Sequence, residues 1–104
     1  MPVTTIDGRS IAVDDEGFMT QYGEWDETLA KALGSQIGLE LTDEHLDVIR
    51  FLRTDFADKG ETATLRRIST VGGFPTKRLF QLFPQKPAKK LAYVSGLPKP
   101  HGCV

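Results

Sequence analysis

The residues with the clearest chemical potential stand close together near the end of the sequence. Cys103 is the only cysteine of the chain, and Lys99, His101 and Gly102 all lie within four residues of it. A lone cysteine within a helix or strand is usually a small, inert apolar residue, whereas residues near a chain end are commonly exposed. Lys99 and His101 would favour the thiolate, which is the nucleophilic form, and Gly102 would allow close approach to another protein. We therefore predict a reactive thiol at Cys103.

Hydrolysis and metal binding, two other roles for this cysteine, have less support in the surrounding residues. Nothing around Cys103 and His101 resembles an oxyanion hole or a substrate pocket, which argues against a self-contained hydrolase. One cysteine and two distant histidines, His45 and His101, do not make a tetrahedral metal site. The sequence therefore predicts no metal and no cofactor, and we expect His45 to face solvent or to be partly packed.

Composition narrows the class of protein. The chain has 104 residues, of which 39% are hydrophobic and 26% charged, as expected for one folded domain. A single cysteine excludes an intramolecular disulfide, and the first residues lack the pattern of a signal peptide. No apolar stretch approaches the roughly 18 residues of a membrane span. The sequence predicts a cytoplasmic protein with no membrane segment.

The charges are divided sharply along the chain. Residues 1–61 contain all 14 acidic residues and carry a net charge of −9, whereas residues 62–104 contain eight basic residues and carry +8. The helix, Gly-Gly turn and helix with Arg66, Arg67, Lys77 and Arg78 is about the size of a helix-turn-helix, so nucleic-acid binding is one interpretation. A second is that the acidic half neutralises the basic half in the fold. A third is that the basic face steers an acidic partner protein.

The elements that must position these residues follow from local patterns. Asp7-Gly8 between β-branched segments predicts a hairpin of residues 3–6 and 11–13. Periodic apolar residues, N-caps and glycine stops predict five helices: about residues 26–37, from the N-cap Thr42 to Gly60, 64–71, 76–83, and from Pro87 to Gly96. The fold class is α+β and mostly helical, a small bundle with an N-terminal hairpin.

The last eight residues do not fit regular structure. Pro98 and Pro100 bias residues 97–104 toward an extended path. We therefore divide the chain into a single domain, residues 1–96, and a flexible C-terminal arm, residues 97–104, that carries Cys103. Lys89, Lys90, Lys99, Pro100, His101 and Gly102 are the residues predicted to meet a partner protein.

The sequence resembles the DsrC/TusE family of sulfur-relay proteins. The resemblance covers nearly the whole chain and is most specific in the arm. The matching segments are Asp15-Glu16-Gly17-Phe18, Trp25, Leu41-Thr42-Asp43-Glu44-His45, Val48-Ile49-Arg50-Phe51-Leu52-Arg53, Leu82-Phe83-Pro84, Pro87-Ala88-Lys89, and Gly96-Leu97-Pro98-Lys99-Pro100-His101-Gly102-Cys103-Val104.

This resemblance implies a function for the arm. In the family the arm cysteine accepts sulfur as a persulfide and passes it on, so Cys103 would be the sulfur carrier, working as a sulfurtransferase only together with partner proteins. Members that serve dissimilatory sulfite reductase carry a second cysteine eleven positions earlier, where this chain has Ala92. The absence favours TusE-like members, which relay sulfur from a multi-subunit donor to the enzyme that thiolates the wobble uridine of certain tRNAs.

Two alternatives stay open. The Gly102-Cys103-Val104 ending is closer to the members linked to sulfite reductase, so the chain could be a DsrC-like gamma subunit or partner of that enzyme. The other alternative is a helix-turn-helix-like regulator that binds nucleic acid through Arg66, Arg67, Lys77 and Arg78.

Overall fold

The computed structural model describes residues 3–6 and 8–99. Within these ranges, a two-stranded hairpin precedes five helices in chain order, and the connection between the two parts includes a 3-10 turn, Tyr22–Glu24. The elements are β1 (Val3–Ile6), β2 (Arg9–Ala12), α1 (Glu27–Gln36), α2 (Asp43–Lys59), α3 (Leu65–Thr70), α4 (Thr76–Leu82) and α5 (Pro87–Val94). The predicted fold class, α+β and mostly helical, is confirmed.

The hairpin is tighter than predicted. Ile6 pairs with Arg9 in the antiparallel ladder, so only residues 7 and 8 separate the strands. Gly8 has φ +75°, the positive value that a two-residue hairpin turn requires. β2 therefore begins at Arg9, two residues before the predicted start. Ile6 and Ile11 are both buried against the helices, which gives the small sheet the support that an isolated hairpin lacks.

Side chains define the first turns of the two longest helices. The Asp26 carboxylate accepts a hydrogen bond of 2.7 Å from the Leu29 amide, and this bond lowers the pKa of Asp26. Thr42 and His45 form a capping box at the start of α2. His45 Nε2 also lies 2.9 Å from the Leu82 carbonyl oxygen. His45 is thus buried rather than solvent-facing, because both ring nitrogens have partners inside the fold.

The core is one apolar cluster to which both α2 and α5 contribute side chains. Ile49 and Leu52 on α2 and Leu91 and Val94 on α5 are at most 1% exposed. Phe51 and Phe56 are partly buried at the edges of the apolar face of α2. The hairpin and α1 cover the cluster on one side through Ile11, Met19, Leu29 and Leu33. None of the helices in the described ranges is long and apolar enough to cross a membrane.

Ion pairs join the acidic and basic halves of the chain. Arg67 on α3 contacts both carboxylate oxygens of Asp55 on α2, at 2.7 to 3.0 Å. Arg78 on α4 pairs with Glu44 near the start of α2. Lys99 Nζ lies 3.3 Å from Glu16 Oε1. Three of the eight basic residues of the second half are therefore paired with acidic residues of the first half. The pairs of Arg67 and Arg78 fix α3 and α4 against α2.

Candidate functional site

The site is built where helix α5 ends and the predicted arm begins. The Gly96 amide donates to the Tyr93 carbonyl and the Leu97 amide donates to the Ala92 carbonyl, at 3.3 and 3.1 Å. Gly96 has φ +68°. These bonds form a Schellman motif, the left-handed helix ending that glycine makes easy. The motif turns the chain away from α5 in one fixed direction.

Two side chains from distant elements hold this helix end. Trp25 Nε1 donates to the Val94 carbonyl at 2.8 Å. Arg53 on α2 donates to the carbonyl oxygens of Ser95 and Tyr22, at 2.7 and 2.9 Å. The Arg53 guanidinium also lies 4.3 Å from the centre of the Trp25 ring, a cation–π contact. Together they satisfy carbonyl groups that a helix end would otherwise leave unpaired.

The next residues are fixed as well. Leu97 is 1% exposed and belongs to the core. The hydroxyl of Thr62, which is itself buried, donates to the Pro98 carbonyl at 2.7 Å. Lys99 reaches Glu16 on the loop that follows the hairpin. We call residues 94–99 the arm base. Each of its residues except Gly96 is held by a side-chain contact or by core burial, and Gly96 supplies the turn.

An open cavity of about 430 Å³ lies beside the arm base. We call it the lysine pocket; it is lined by Glu16, Gly17, Phe18, Ile37, Lys86, Lys89, Lys90 and Tyr93. The Phe18 and Tyr93 rings meet edge to face, with centres 5.9 Å apart, and burial raises the pKa of Tyr93. The pocket thus combines an apolar floor with a rim of three lysines and one carboxylate, Glu16, which is paired with Lys99.

The structure brings three of the predicted partner-binding residues to one region. Lys89 and Lys90 line the pocket, and Lys99 contacts Glu16 at the same rim. Pro100, His101, Gly102 and Cys103 lie outside the described residues. Within the part of the chain that is described, no group of three His, Cys, Asp or Glu residues is placed to hold a metal ion.

Sequence reasoning missed the residues that hold the arm base. In the sequence, Trp25 was singled out only as one of the segments that match the family. Arg53 carried a usable signal, since it lies four residues from Ile49 and three from Phe56, on the apolar side of α2. A charged residue at such a position needs a partner inside the fold. Thr62 carried no comparable signal, because its partner is a backbone carbonyl 36 residues away.

Comparison with known proteins gives consistent matches. A family model described as "DsrC like protein" matches residues 5–104. "Sulfurtransferase TusE" of Salmonella paratyphi A is 32% identical over 105 residues, covering 94% of this chain and 96% of that protein. "Sulfite reductase, dissimilatory-type subunit gamma" of Nitratidesulfovibrio vulgaris is 31% identical over 105 residues, covering 100% of both. The NMR structure of Allochromatium vinosum DsrC is 35% identical, with TM-score 0.81 over 98% of this chain and 97% of that one.

The hairpin, the helix order and the fixed turn after α5 define a DsrC-type helical domain. Its match to a solved DsrC structure extends over almost all of both chains. The chain belongs to the DsrC/TusE family of sulfur-relay proteins. The resemblance found in the sequence is therefore confirmed.

Proposed function

We propose that this protein is a sulfur carrier whose working atom is Sγ of Cys103. The Cys103 thiolate attacks the outer sulfur of a donor protein's cysteine persulfide. The donor's S–S bond breaks, the donor leaves as a thiolate, and Cys103 becomes a persulfide. An acceptor then takes the outer sulfur in the same way, which returns Cys103 to the thiolate. No net oxidation occurs in either transfer, so no redox cofactor is needed.

The observation that carries the proposal is the family match through residue 104, which includes the only cysteine of the chain. The arm base supports it geometrically. Lys99 is held at the rim of the lysine pocket, and the four residue steps from Lys99 to Cys103 can span at most about 14 Å. A partner that exchanges sulfur with Cys103 must therefore bring its reactive sulfur close to this face of the domain.

The neighbours of Cys103 have supporting roles in the proposal. Lys99 and His101 stabilise the anionic sulfur. Pro98 and Pro100 keep the segment extended, and Gly102 admits it to a narrow cleft. Lys89 and Lys90 contact the partner from helix α5. The transfer requires a reduced thiol, which fits a cytoplasmic protein.

The partners are an upstream sulfur donor and a downstream acceptor enzyme. We favour the relay that serves 2-thiolation of the tRNA wobble uridine, in line with the matches to proteins named "Sulfurtransferase TusE". Ala92 supports the same choice. Because this position carries alanine rather than cysteine, no second thiol is available there to form a bridge with Cys103. The Ala92 side chain is fully buried on α5.

The test is sulfur loading measured by mass spectrometry. We expect the wild-type protein, incubated with a persulfide donor, to gain one sulfur atom that a reductant removes. Cys103→Ala should gain none. Equal uptake by wild type and Cys103→Ala, or no uptake by either, would contradict the proposal.

A second candidate is a DsrC-like partner of dissimilatory sulfite reductase. The specific observation in its favour is the alignment with the gamma subunit from Nitratidesulfovibrio vulgaris, which spans both chains completely. Co-purification with a siroheme protein would favour this candidate over the tRNA relay. Direct nucleic-acid binding has less support, because Arg67 and Arg78 are paired with Asp55 and Glu44.

A further inference from the structure

We propose that the lysine pocket is a docking site for an acidic segment of a partner protein that inserts one aromatic or branched side chain between Lys86 and Lys89. The inference rests on the proposed function, because it takes the occupant to be a protein that exchanges sulfur with Cys103. It assigns a role to Phe18, Ile37 and Lys86, none of which the transfer chemistry uses.

The floor of the pocket is suited to an apolar side chain. Phe18 is 2% exposed and forms the base, while Tyr93 and Ile37 are partly buried and flank it. The cavity of about 430 Å³ is large enough for a single aromatic residue with its flanking backbone. Burial of such a side chain should tighten a complex by at least about tenfold, so the floor can supply affinity.

The rim is suited to negative charge. Helix α5 begins directly after Lys86, which is its N-cap. Lys89 follows three residues later and Tyr93 four residues after that, so the three side chains share one side of the helix. Within residues 3–6 and 8–99, no carboxylate lies within ion-pairing distance of Lys86 or Lys89. An acidic segment would therefore meet two ammonium groups that the fold itself does not neutralise.

The rim is also held in place by the backbone. Gln85 and Lys86 have φ of 58° and 47° in succession, a left-handed conformation that is uncommon for residues with side chains. Lys90 Nζ donates to the Pro84 carbonyl across this turn, at 2.5 Å. The pocket is open in the chain without a partner, which reduces the reorganisation that binding requires.

The position of the pocket identifies the occupant as a protein. Glu16 lines the pocket and also contacts Lys99 at the end of the arm base. The backbone of Cys103 lies at most about 14 Å from that of Lys99, so a protein that brings its sulfur to Cys103 has a surface close to the pocket. Nucleic acid fits less well, since phosphates need an extended basic track and Arg66 and Lys77 do not line this cavity.

The test uses the full chain, labelled with nitrogen-15, and a capped peptide in which phenylalanine lies between two pairs of aspartates. As the peptide is added, we expect the backbone amide signals of Phe18, Lys86, Lys89 and Tyr93 to change position in NMR spectra. Binding of the peptide should weaken as the salt concentration increases. The same peptide with serine in place of phenylalanine should bind at least about tenfold more weakly.

Two double variants provide the matched comparison. Lys86→Glu/Lys89→Glu should weaken peptide binding at least about tenfold, whereas Arg66→Glu/Lys77→Glu, with the same change in net charge on exposed residues elsewhere, should leave it unchanged. Equal losses in both variants, equal binding of the serine peptide, or tighter binding of a single-stranded RNA at the same amides would overturn the proposal.

The outcome is separable from that of the proposed function. Loading of wild-type Cys103 by a small persulfide donor needs no docking, so it tests the sulfur-carrier function independently of the peptide. If wild type does not load, the sulfur-carrier proposal fails whatever the peptide does. If wild type takes up sulfur but the peptide does not change the NMR signals of the pocket residues, only the docking proposal fails.

Discussion

At the scale of single residues, Gly96 is required for two separate reasons. Its φ of +68° is strained for any residue with a side chain. A Cβ atom at this position would also come within 2.6 Å of Trp25 Cδ1 and 2.9 Å of Met19 Sδ. The glycine therefore allows the Trp25 ring to pack directly against the turn that begins the arm.

We predict that Gly96→Ala destabilises the domain by about 3 kcal/mol, through backbone strain and overpacking together. The matched control is Gly38→Ala, where φ is +76° but no atom lies within 4 Å of the added Cβ. That variant should lose only about 1 kcal/mol. Urea unfolding of both variants measures the difference, and equal losses would show that the contact with Trp25 does not matter.

At the scale of elements, the α2–α3 connection holds the arm base through one hydroxyl. The Thr62 side chain lies after the end of α2 and donates to the Pro98 carbonyl. Arg67 and Asp55 join α3 to α2 and so fix this connection. Because this is the last hydrogen bond from the helical domain to the described backbone before Lys99, it sets the position of that backbone. Under the proposed function it also sets the point from which Cys103 would be presented.

We predict that Thr62→Val, which keeps the shape but removes the donor, loosens residues 97–99 and costs about 1 kcal/mol of stability. Backbone order parameters at Lys99 should fall, and the rate of sulfur transfer from a protein donor should fall several-fold. Loading by a small persulfide should stay unchanged. Thr62→Ser should restore the wild-type values. Unchanged order at Lys99 in Thr62→Val would contradict the role of this hydroxyl.

At the scale of the whole molecule, the fold brings opposite charges together that the sequence keeps apart. The pKa values of Asp55 and Glu44 are lowered first by hydrogen bonds from Arg67 and Arg78. Asp55 is the more buried of the two carboxylates. The cross-half ion pairs leave Lys86 and Lys89 as cations on a separate face, where the lysine pocket opens.

The lowered pKa of Asp55 predicts how stability depends on pH. The carboxylate contributes stability above its unfolded value, about 3.9, and this contribution is lost as pH falls through the lower folded value. The free energy of unfolding should therefore fall more steeply on acidification for wild type than for Asp55→Asn. The variant is already less stable than wild type at pH 7. Chemical denaturation between pH 7 and pH 3 checks this, and parallel curves for the two proteins would contradict it.

Much of the fold was accessible from local patterns. Thr42 and Gly60 marked the ends of α2 because caps depend on neighbours in sequence, and Asp7-Gly8 marked the hairpin for the same reason. His45 was misjudged, because its second ring nitrogen is satisfied by Leu82, 37 residues away. The boundaries of strand β2 shifted because the turn length, not the β-branched pattern, sets the register.

The sequence by itself determined the family, the helix order and the identity of the one thiol, since these are properties of residue types and their spacing. Tertiary structure decided which residues hold the arm base and where the basic charge remains unpaired. Trp25, Arg53 and Thr62 act on carbonyl oxygens of residues 94–98 from elements distant in the chain. A backbone carbonyl is the same in every residue, so no sequence pattern marks which one will be bound; only packing brings donor and acceptor together.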